Sequence, residues 1–415
     1  MLSVLRTSTV LLKPTTDELL KEYAENSAIL WNTANFERRI AWFNHDKMPS
    51  YASQCKSLKT SEAFKRLGTC KAQALISKLR EAWSSFYALK RLQKQGKLPP
   101  HIVKVSPPHY WKENGKRNAK AFYVRNDGWR WRYNDKDEEE LLIGKLRVPF
   151  QHGKLWVGKQ GRLEVLHDTL LDKWFAHFPV EAKTPPSRIA GKMASLDLGI
   201  CNLAALYIEN EKPIVYSGRA VLSDWVYRTK KIGELQSRLP RKKRKSQRIG
   251  LMYRRRQRRL KHAVNAMCKS IFEELEKRNA NVLVMGDLNG IRAGANHGRN
   301  GNQKVHNFWA FSMVQKRLAE LGEEHGITVR KVSERNTSKT CCLCGMQHNG
   351  RKERGLMVCP QFHASVNADV NGAVNIWNVA VNRFPQFLAH TERKSSSSGL
   401  LAEPLLLRWN YDEWK

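Results

Sequence analysis

Two aspartates sit where an α/β chain does its chemistry. Asp197 ends the apolar strand pattern of "MASLDLG", just before Gly199 and a turn. Asp369 stands near the start of the closing helix "NADVNGAVNIWNVAVNRF". There the N-terminal helix dipole favours an anion and keeps it ionised for metal binding. A lone aspartate is ordinarily a cap or a solvated surface group, so the pair needs a third partner to mean more. "VLVMGDLNG" (282–290) reads as a buried strand arriving at an active site, yet no glutamate ends it. Asp287 follows Gly286, and neighbouring strand side chains point to opposite faces.

A second group could hold a different ion. "CCLC" supplies Cys341 and Cys344 with the two-residue gap that lets two thiolates meet one Zn²⁺. Cys359 opens "CPQFH", where a second knuckle would put cysteine at position 362, but Phe362 stands there. His363, one residue further, is the candidate fourth ligand, with His348 and Cys342 as alternatives, against a degraded ribbon held by packing alone. Zinc held this way would be structural, since a catalytic ion needs an open position and a substrate path. The other cysteines (Cys55, Cys70, Cys201 and Cys268) are scattered, which argues for metal in a reducing compartment rather than a disulfide framework.

Charge narrows the partners. In 415 residues, 73 Lys and Arg against 38 Asp and Glu leave a formal charge of +35, which a polyanion would offset. Thirteen cations and no acid fall between Arg238 and Lys261. Arg241, Lys242, Lys243, Arg244, Lys245, Arg254, Arg255, Arg256, Arg258 and Arg259 are candidate phosphate contacts carrying little sequence information. With 13 Trp and 41% hydrophobic residues, globular domains are expected rather than a basic tail. Trp31, Trp129 and Trp131 fit core or hairpin positions better than base-stacking ones. No apolar run approaches the ~20 residues of a membrane helix, and no signal-peptide cleavage pattern opens the chain. A cytoplasmic protein is expected.

These residues must be positioned by several elements. A first strand ends at Pro14, and Thr15 and Glu18 have capping-box spacing for a helix. Ala72, Leu75, Ile76, Leu79, Trp83, Phe86 and Leu89 repeat by three and four, marking a second long helix. Residues 15–95 thus form a helical unit, and 1–14 with 96–180 a β-rich barrel. A linker covers 181–192. An α/β domain spans 193–386 with a Cys-rich insert at 337–366, and a flexible tail with "SSSS" at 395–398 occupies 387–415, although its "PLLLRWNYDEW" could dock on the folded protein. Alternating strands and helices imply a largely parallel sheet with its chemistry at the strands' carboxyl ends.

"SLDLGICNLAAL", "TSKTCCLCG" and "ADVNGAVNI", in this order around the basic helices, resemble the first RuvC motif, zinc-ribbon entry and third RuvC motif of TnpB. TnpB proteins, also called OrfB, are transposon-encoded RNA-guided nucleases related to type V CRISPR effectors. "WNTANFERR" and "GKLRVPF…GRLEVLHD" look like the family's recognition and wedge regions, so the resemblance covers most of the chain. It implies an RNase H-like RuvC domain with an inserted zinc ribbon, in which Asp, Glu and Asp hold two Mg²⁺ ions roughly 3.5–4 Å apart. Asp197 and Asp369 match the first and third acids, while Gly286 stands where the second motif usually has glutamate.

Three explanations compete: Asp287 serves, the site is dead, or the acid comes from the next strand. "ITVRKVSE" ends at Glu334, and in an RNase H-like sheet that strand lies about 4.8 Å from 282–288. The third explanation is favoured, because some TnpB-like proteins carry a rearranged second acid, and keeping both aspartates without a middle acid is uneconomical. The plainer role for Glu334 is a surface acid paired with Arg335. The resemblance implies a guide RNA derived from the transposon end, choosing a double-stranded DNA target beside a short flanking motif read by the protein. The alternatives are a cleavage-dead, RNA-guided DNA-binding protein acting by occupancy, and a transposase joining DNA ends, for which no recombinase-type nucleophile stands out. Nothing in the residues sets an oligomeric state.

Overall fold

The computed structural model describes residues 2–99, 101–113, 116–240, 246–288, 296, 298–347, 355–383, 401 and 403–415. They form two compact units, Ser3–Lys183 and Thr184–Lys415.

In the first unit, helices Glu18–Phe43 and Thr69–Lys94 flank two short ones, Tyr51–Ser57 and Glu62–Leu67. Ser50 and Ser61 cap the short helices by accepting the amides of Ser53 and Phe64. The capping box expected at Thr15 does not form. Asp17 is the N-cap and makes no side-chain cap bond, its carboxylate instead meeting Lys21 at 2.8 Å and the Trp174 indole at 3.4 Å. Thr69–Lys94 buries Ala72, Leu75, Ile76, Leu79, Trp83 and Phe86, while Leu89 on the same repeat is half-buried.

An eight-stranded sheet runs from Ala121–Val124 through Leu163–Asp168, Lys173–Thr184, Leu2–Leu12, Leu146–His152 and Glu139–Ile143 to Arg130–Tyr133, with Lys159–Gln160 pairing off this path against Lys173–Thr184. Closure of the two end strands into a barrel is not among the described pairings. Sheet and helices share one core, with Val10, Leu20, Trp83, Phe122, Trp174 and Phe178 in the same cluster. The helical and β-rich segments expected as separate domains are therefore one unit, because each hides its apolar face against the other. The expected linker at 181–192 begins inside a strand. Along Lys173–Thr184 burial alternates, with Val180, Ala182 and Thr184 inward, so the period of two runs on to Thr184. Trp31 stacks on Trp111 at 4.8 Å, Trp129 packs on Phe178, and Trp131 lies half-buried on its strand, as core and hairpin residues do.

The second unit is built on a six-stranded sheet: Thr328–Val332, Ala280–Gly286, Lys192–Asp197, Asn202–Ile208, Ile214–Ser217 and Leu405–Arg408. The first three run parallel, and the Asn202–Ile208 hairpin turns antiparallel. Helices Arg219–Ser237, Gln247–Lys277 and Phe311–His325 cover one face. Helix Ala368–Arg383 covers the other, with Ile376 and Ala380 on Met193, Val282, Val284 and Val332. Phe311–His325 stops at Gly326, whose φ of 66° is the left-handed C-cap conformation glycine adopts freely.

The tail expected to be flexible is partly strand. Leu405–Arg408 pairs parallel with Ile214–Ser217, and buried Trp414 donates to the Ala263 carbonyl at 3.1 Å. Leu405 and Leu406 stay exposed; half-buried Leu407 with buried Trp409 and Trp414 supplies the apolar surface that docks this segment. Among the described residues, no helix is long and apolar enough to cross a membrane.

Candidate functional site

Strand register brings the sequence-marked acids to one edge of this sheet. Leu196 lies opposite Met285, and Gly286 opposite Val332. Since side chains alternate, Met193, Val282, Val284 and Val332 all face helix Ala368–Arg383. Asp197, Gly286 and Glu334 continue the same parity toward that helix, whose first turn carries Asp369. Asp287, of opposite parity, is exposed.

Gly286 and Glu334 occupy each other's space. A Cβ built on Gly286 would overlap the Cγ, Cδ and Oε1 atoms of Glu334, so the carboxyl group fills the volume where a side chain at 286 would begin. The tight turn after the strand holds Glu334 there: Thr337 donates to the Glu334 carbonyl through its amide (3.1 Å) and its hydroxyl (2.9 Å). Oε1 is buried without a hydrogen-bond partner. Burial, with the charge of Asp287 adding to it, pushes this carboxyl up to about 7.

Asp197 is seated by the facing helix. Ser195 donates to the Ala373 carbonyl at 2.6 Å, and a Cβ on Gly372 would collide with Asp197 Oδ2. Asp369 accepts from Asn202 Nδ2 at 2.5 Å. Asn367 caps its helix, accepting the amides of Asp369 (3.0 Å) and Val370 (3.3 Å).

The three carboxyl groups share a face without converging tightly. Among the described residues, the group of three potential ligands with atoms all within 4.8 Å of one another is Cys341, Cys344 and Cys359. A site for two ions is wider than that. With ions roughly 3.5–4 Å apart and Mg–O bonds of about 2.1 Å, outer carboxylates lie up to about 8 Å apart.

Cys341 and Cys359 are buried and Cys344 half-buried. The turns bearing them are knuckles, in which Gly345 N donates to Cys341 O (2.8 Å) and Cys359 N to Ala364 O (2.9 Å). Burial pushes the Cys341 thiol up, while the Cys344 and Leu343 amides pull the other way. A cation would relieve that desolvation, so the donor set suits Zn²⁺. His363 does not join it: the residue is exposed, with φ at 49°. Cys342 packs toward the Val366–Val370 cluster, and burial raises its thiol to about 12. Phe362 is 57% exposed, and His348 lies outside the described residues.

The basic run divides in two. Arg241, Lys242, Lys243, Arg244 and Lys245 lie outside the described residues. In helix Gln247–Lys277, Arg255 and Arg258 face solvent, and Arg254 is half-buried. Arg256 and Arg259, expected on phosphate, are engaged within the protein. Arg256 is buried between Trp225 and Tyr253 and donates to Thr229 at 2.7 Å; Arg259 pairs with Asp224 at 2.8 Å. Helical periodicity turns them toward the Leu260–Val264 core side, which composition alone does not show.

Asn202, Gly372, Asn371 and Asn375 were not singled out by sequence reasoning. The i, i+4 spacing of the two asparagines in "DVNGAVN", on one helix face, is the pattern that marks them.

This chain is similar to known proteins. The OrfB_IS605 family, a probable transposase, matches residues 177–292, and the Cas12f1-like TNB domain matches 311–376. "TnpB-like protein ORF457" of Acidianus two-tailed virus is 30% identical over 91% of this chain and 87% of its own. "CRISPR-associated endodeoxyribonuclease Cas12f1" of an uncultured archaeon is 34% identical over 19% of this chain and 16% of its own. Among solved structures, a Cas12f1–sgRNA–target DNA complex aligns with TM-score 0.55 at 14% identity, over 87% of this chain and 82% of that one. The mini-RNA-guided endonuclease CRISPR-Cas_phi3 aligns with TM-score 0.57 at 11% identity, over 91% and 92%. At such identities the structures speak to fold alone. The sequence relative aligned along nearly the whole length carries the assignment: this chain belongs to the TnpB family.

Proposed function

We propose that this protein is an RNA-guided DNA endonuclease that hydrolyses phosphodiesters at the Asp197–Glu334–Asp369 edge. The observation that carries the reading is Glu334 seated in the space Gly286 leaves, on the face that bears both aspartates. In this reading Thr184–Lys415 is an RNase H-like RuvC domain, and the three acids would hold two Mg²⁺ ions. Bound there, such ions supply an activated water and stabilise the leaving oxygen. The buried, unpartnered Glu334 oxygen suits that role, because a neighbouring cation restores the ionised form that burial disfavours.

The chain's own residues supply the preorganisation. Asn202 orients Asp369, Gly372 admits the Asp197 carboxylate beneath the helix, and Thr337 fixes the Glu334 turn. The cysteine trio would hold a structural Zn²⁺.

Guide RNA, from the transposon end, would choose the sequence, and the protein would read a short motif flanking a double-stranded target. A charge of +35 suits both polyanions. The names of the relatives support the same partners: one aligned structure is a complex with single-guide RNA and target DNA, and another is called an RNA-guided endonuclease. The protein would work in the cytoplasm, on nucleoid DNA.

The test combines protein purified with its co-purifying RNA, Mg²⁺ and a target library. Glu334→Gln is expected to abolish cleavage and leave RNA and target binding intact. Full cleavage by Glu334→Gln overturns the assignment of the acid. Wild-type binding without cleavage replaces the endonuclease with an occupancy-based repressor.

A further inference from the structure

Helix Ala368–Arg383 sends two buried amides into the loop that joins the acid edge to the cysteines. Asn371 is fully buried; its Oδ1 accepts the Cys342 amide at 2.8 Å, and its Nδ2 donates to the Thr340 carbonyl at 2.9 Å. Asn375, 5% exposed, donates to the carbonyls of Thr337 (2.8 Å) and Thr340 (2.6 Å). Thr337 in turn holds the Glu334 carbonyl. Thr340 makes an isolated β-bridge with Gln347, and the two asparagines satisfy the Thr337 and Thr340 carbonyls within the fold.

We propose that Asn371 and Asn375 are positioning residues that couple the cysteine cluster to the carboxylate edge. They tie the first knuckle and the Glu334 turn to the helix that carries Asp369. Ordering of the knuckle by a thiolate-bound ion then favours the placement of Glu334, and divalent binding at the carboxylates reciprocally favours the knuckle. The proposal rests on the carboxylate reading above.

Mn²⁺ titration by electron paramagnetic resonance tests it, on the full chain with RNA, in zinc-loaded and zinc-stripped forms. Stripping is expected to weaken Mn²⁺ binding about 10- to 100-fold, the usual cost of losing an outer-shell support. Asn375→Leu, of similar volume but without the donor, is expected to weaken Mn²⁺ binding comparably while zinc stays bound, and to make stripping inconsequential. Thermal unfolding and guide-RNA affinity certify that the variant is folded at the titration temperature. Equal Mn²⁺ affinity of loaded and stripped wild-type protein overturns the coupling, and needs no variant to fold. Unchanged affinity in folded Asn375→Leu overturns it as well. Asp197→Asn separates the two claims. If it leaves Mn²⁺ binding intact, the carboxylate reading has failed; if it abolishes binding while stripping and Asn375→Leu do nothing, only the coupling has failed.

Discussion

The carboxylate edge and the cysteine cluster each depart by one side chain from the pattern expected from the sequence, and they differ in what takes its place. At Gly286 the missing side chain's volume is filled by Glu334, from the turn that follows the adjacent strand Thr328–Val332. At Phe362 the replacement side chain faces solvent, and no described residue joins the three cysteines. The difference is one of neighbourhood. Inside a sheet another strand passes about 4.8 Å away, so a long acid is able to reach across the gap. At position 362 the side chain faces solvent, so among the described residues no neighbouring strand is at hand to supply a substitute ligand.

The comparison breaks most decisively at Glu334. Glu334→Gln is expected to lower the cleavage rate by about 10³-fold, equivalent to several kcal/mol of lost charge stabilisation. Single-turnover rates at saturating Mg²⁺ measure it.

Shared space makes the next test reciprocal. Gly286→Glu alone is expected to destabilise the fold by about 1–3 kcal/mol, as overpacking does, and to lose cleavage. Combined with Glu334→Gly, it is expected to regain stability and part of the cleavage. A double variant no better than the single one means that the two positions are not interchangeable.

The raised carboxyl gives a pH signature in metal-free protein. Glu334 holds its proton up to about 7 when folded but releases it near 4.5 when unfolded. Stability from this group is therefore highest below 4.5, falls as pH rises to 7, and is level above that. The fall is about 1–3 kcal/mol. Denaturant unfolding in EDTA at pH 5 and pH 8 reads it, and Glu334→Gln or added Mg²⁺ is expected to remove it. A pH-independent difference between wild type and variant argues against an isolated, buried acid.

The smallest effect sharpens the other side. Phe362→Cys supplies a fourth thiolate at knuckle spacing and is expected to raise zinc affinity at least about tenfold, by competition with a chelator. No change means that the fourth position is already filled by a protein group.

Much of the second unit was legible because its signals are local. The strand ending at Asp197, the helix opening at Asp369 and the Cys341–Cys344 gap each lie within a few residues. The failures involve contacts remote in sequence. Asp17 rather than Thr15 stands at the helix N-terminus, and its remote contact is a tryptophan from the sheet, Trp174. Arg256 and Arg259, read from the sequence as phosphate contacts, meet Trp225, Thr229 and Asp224 of another helix. For the tail, the sequence allowed "PLLLRWNYDEW" to dock but did not name its strand partner, Ile214–Ser217, which lies far upstream.

The sequence by itself determined which residue types are present at which periods: the charge that calls for a polyanion, the strand and helix repeats, and the acids and thiols at chemically useful spacings. Those follow from composition and from the fixed geometries of helix and strand. Tertiary structure alone decided that Glu334 occupies the space above Gly286, that two asparagines bind the intervening loop, and that His363 stays outside the cysteine group. Each of these is a contact between elements, fixed by register and helix docking, which no local window of residues encodes.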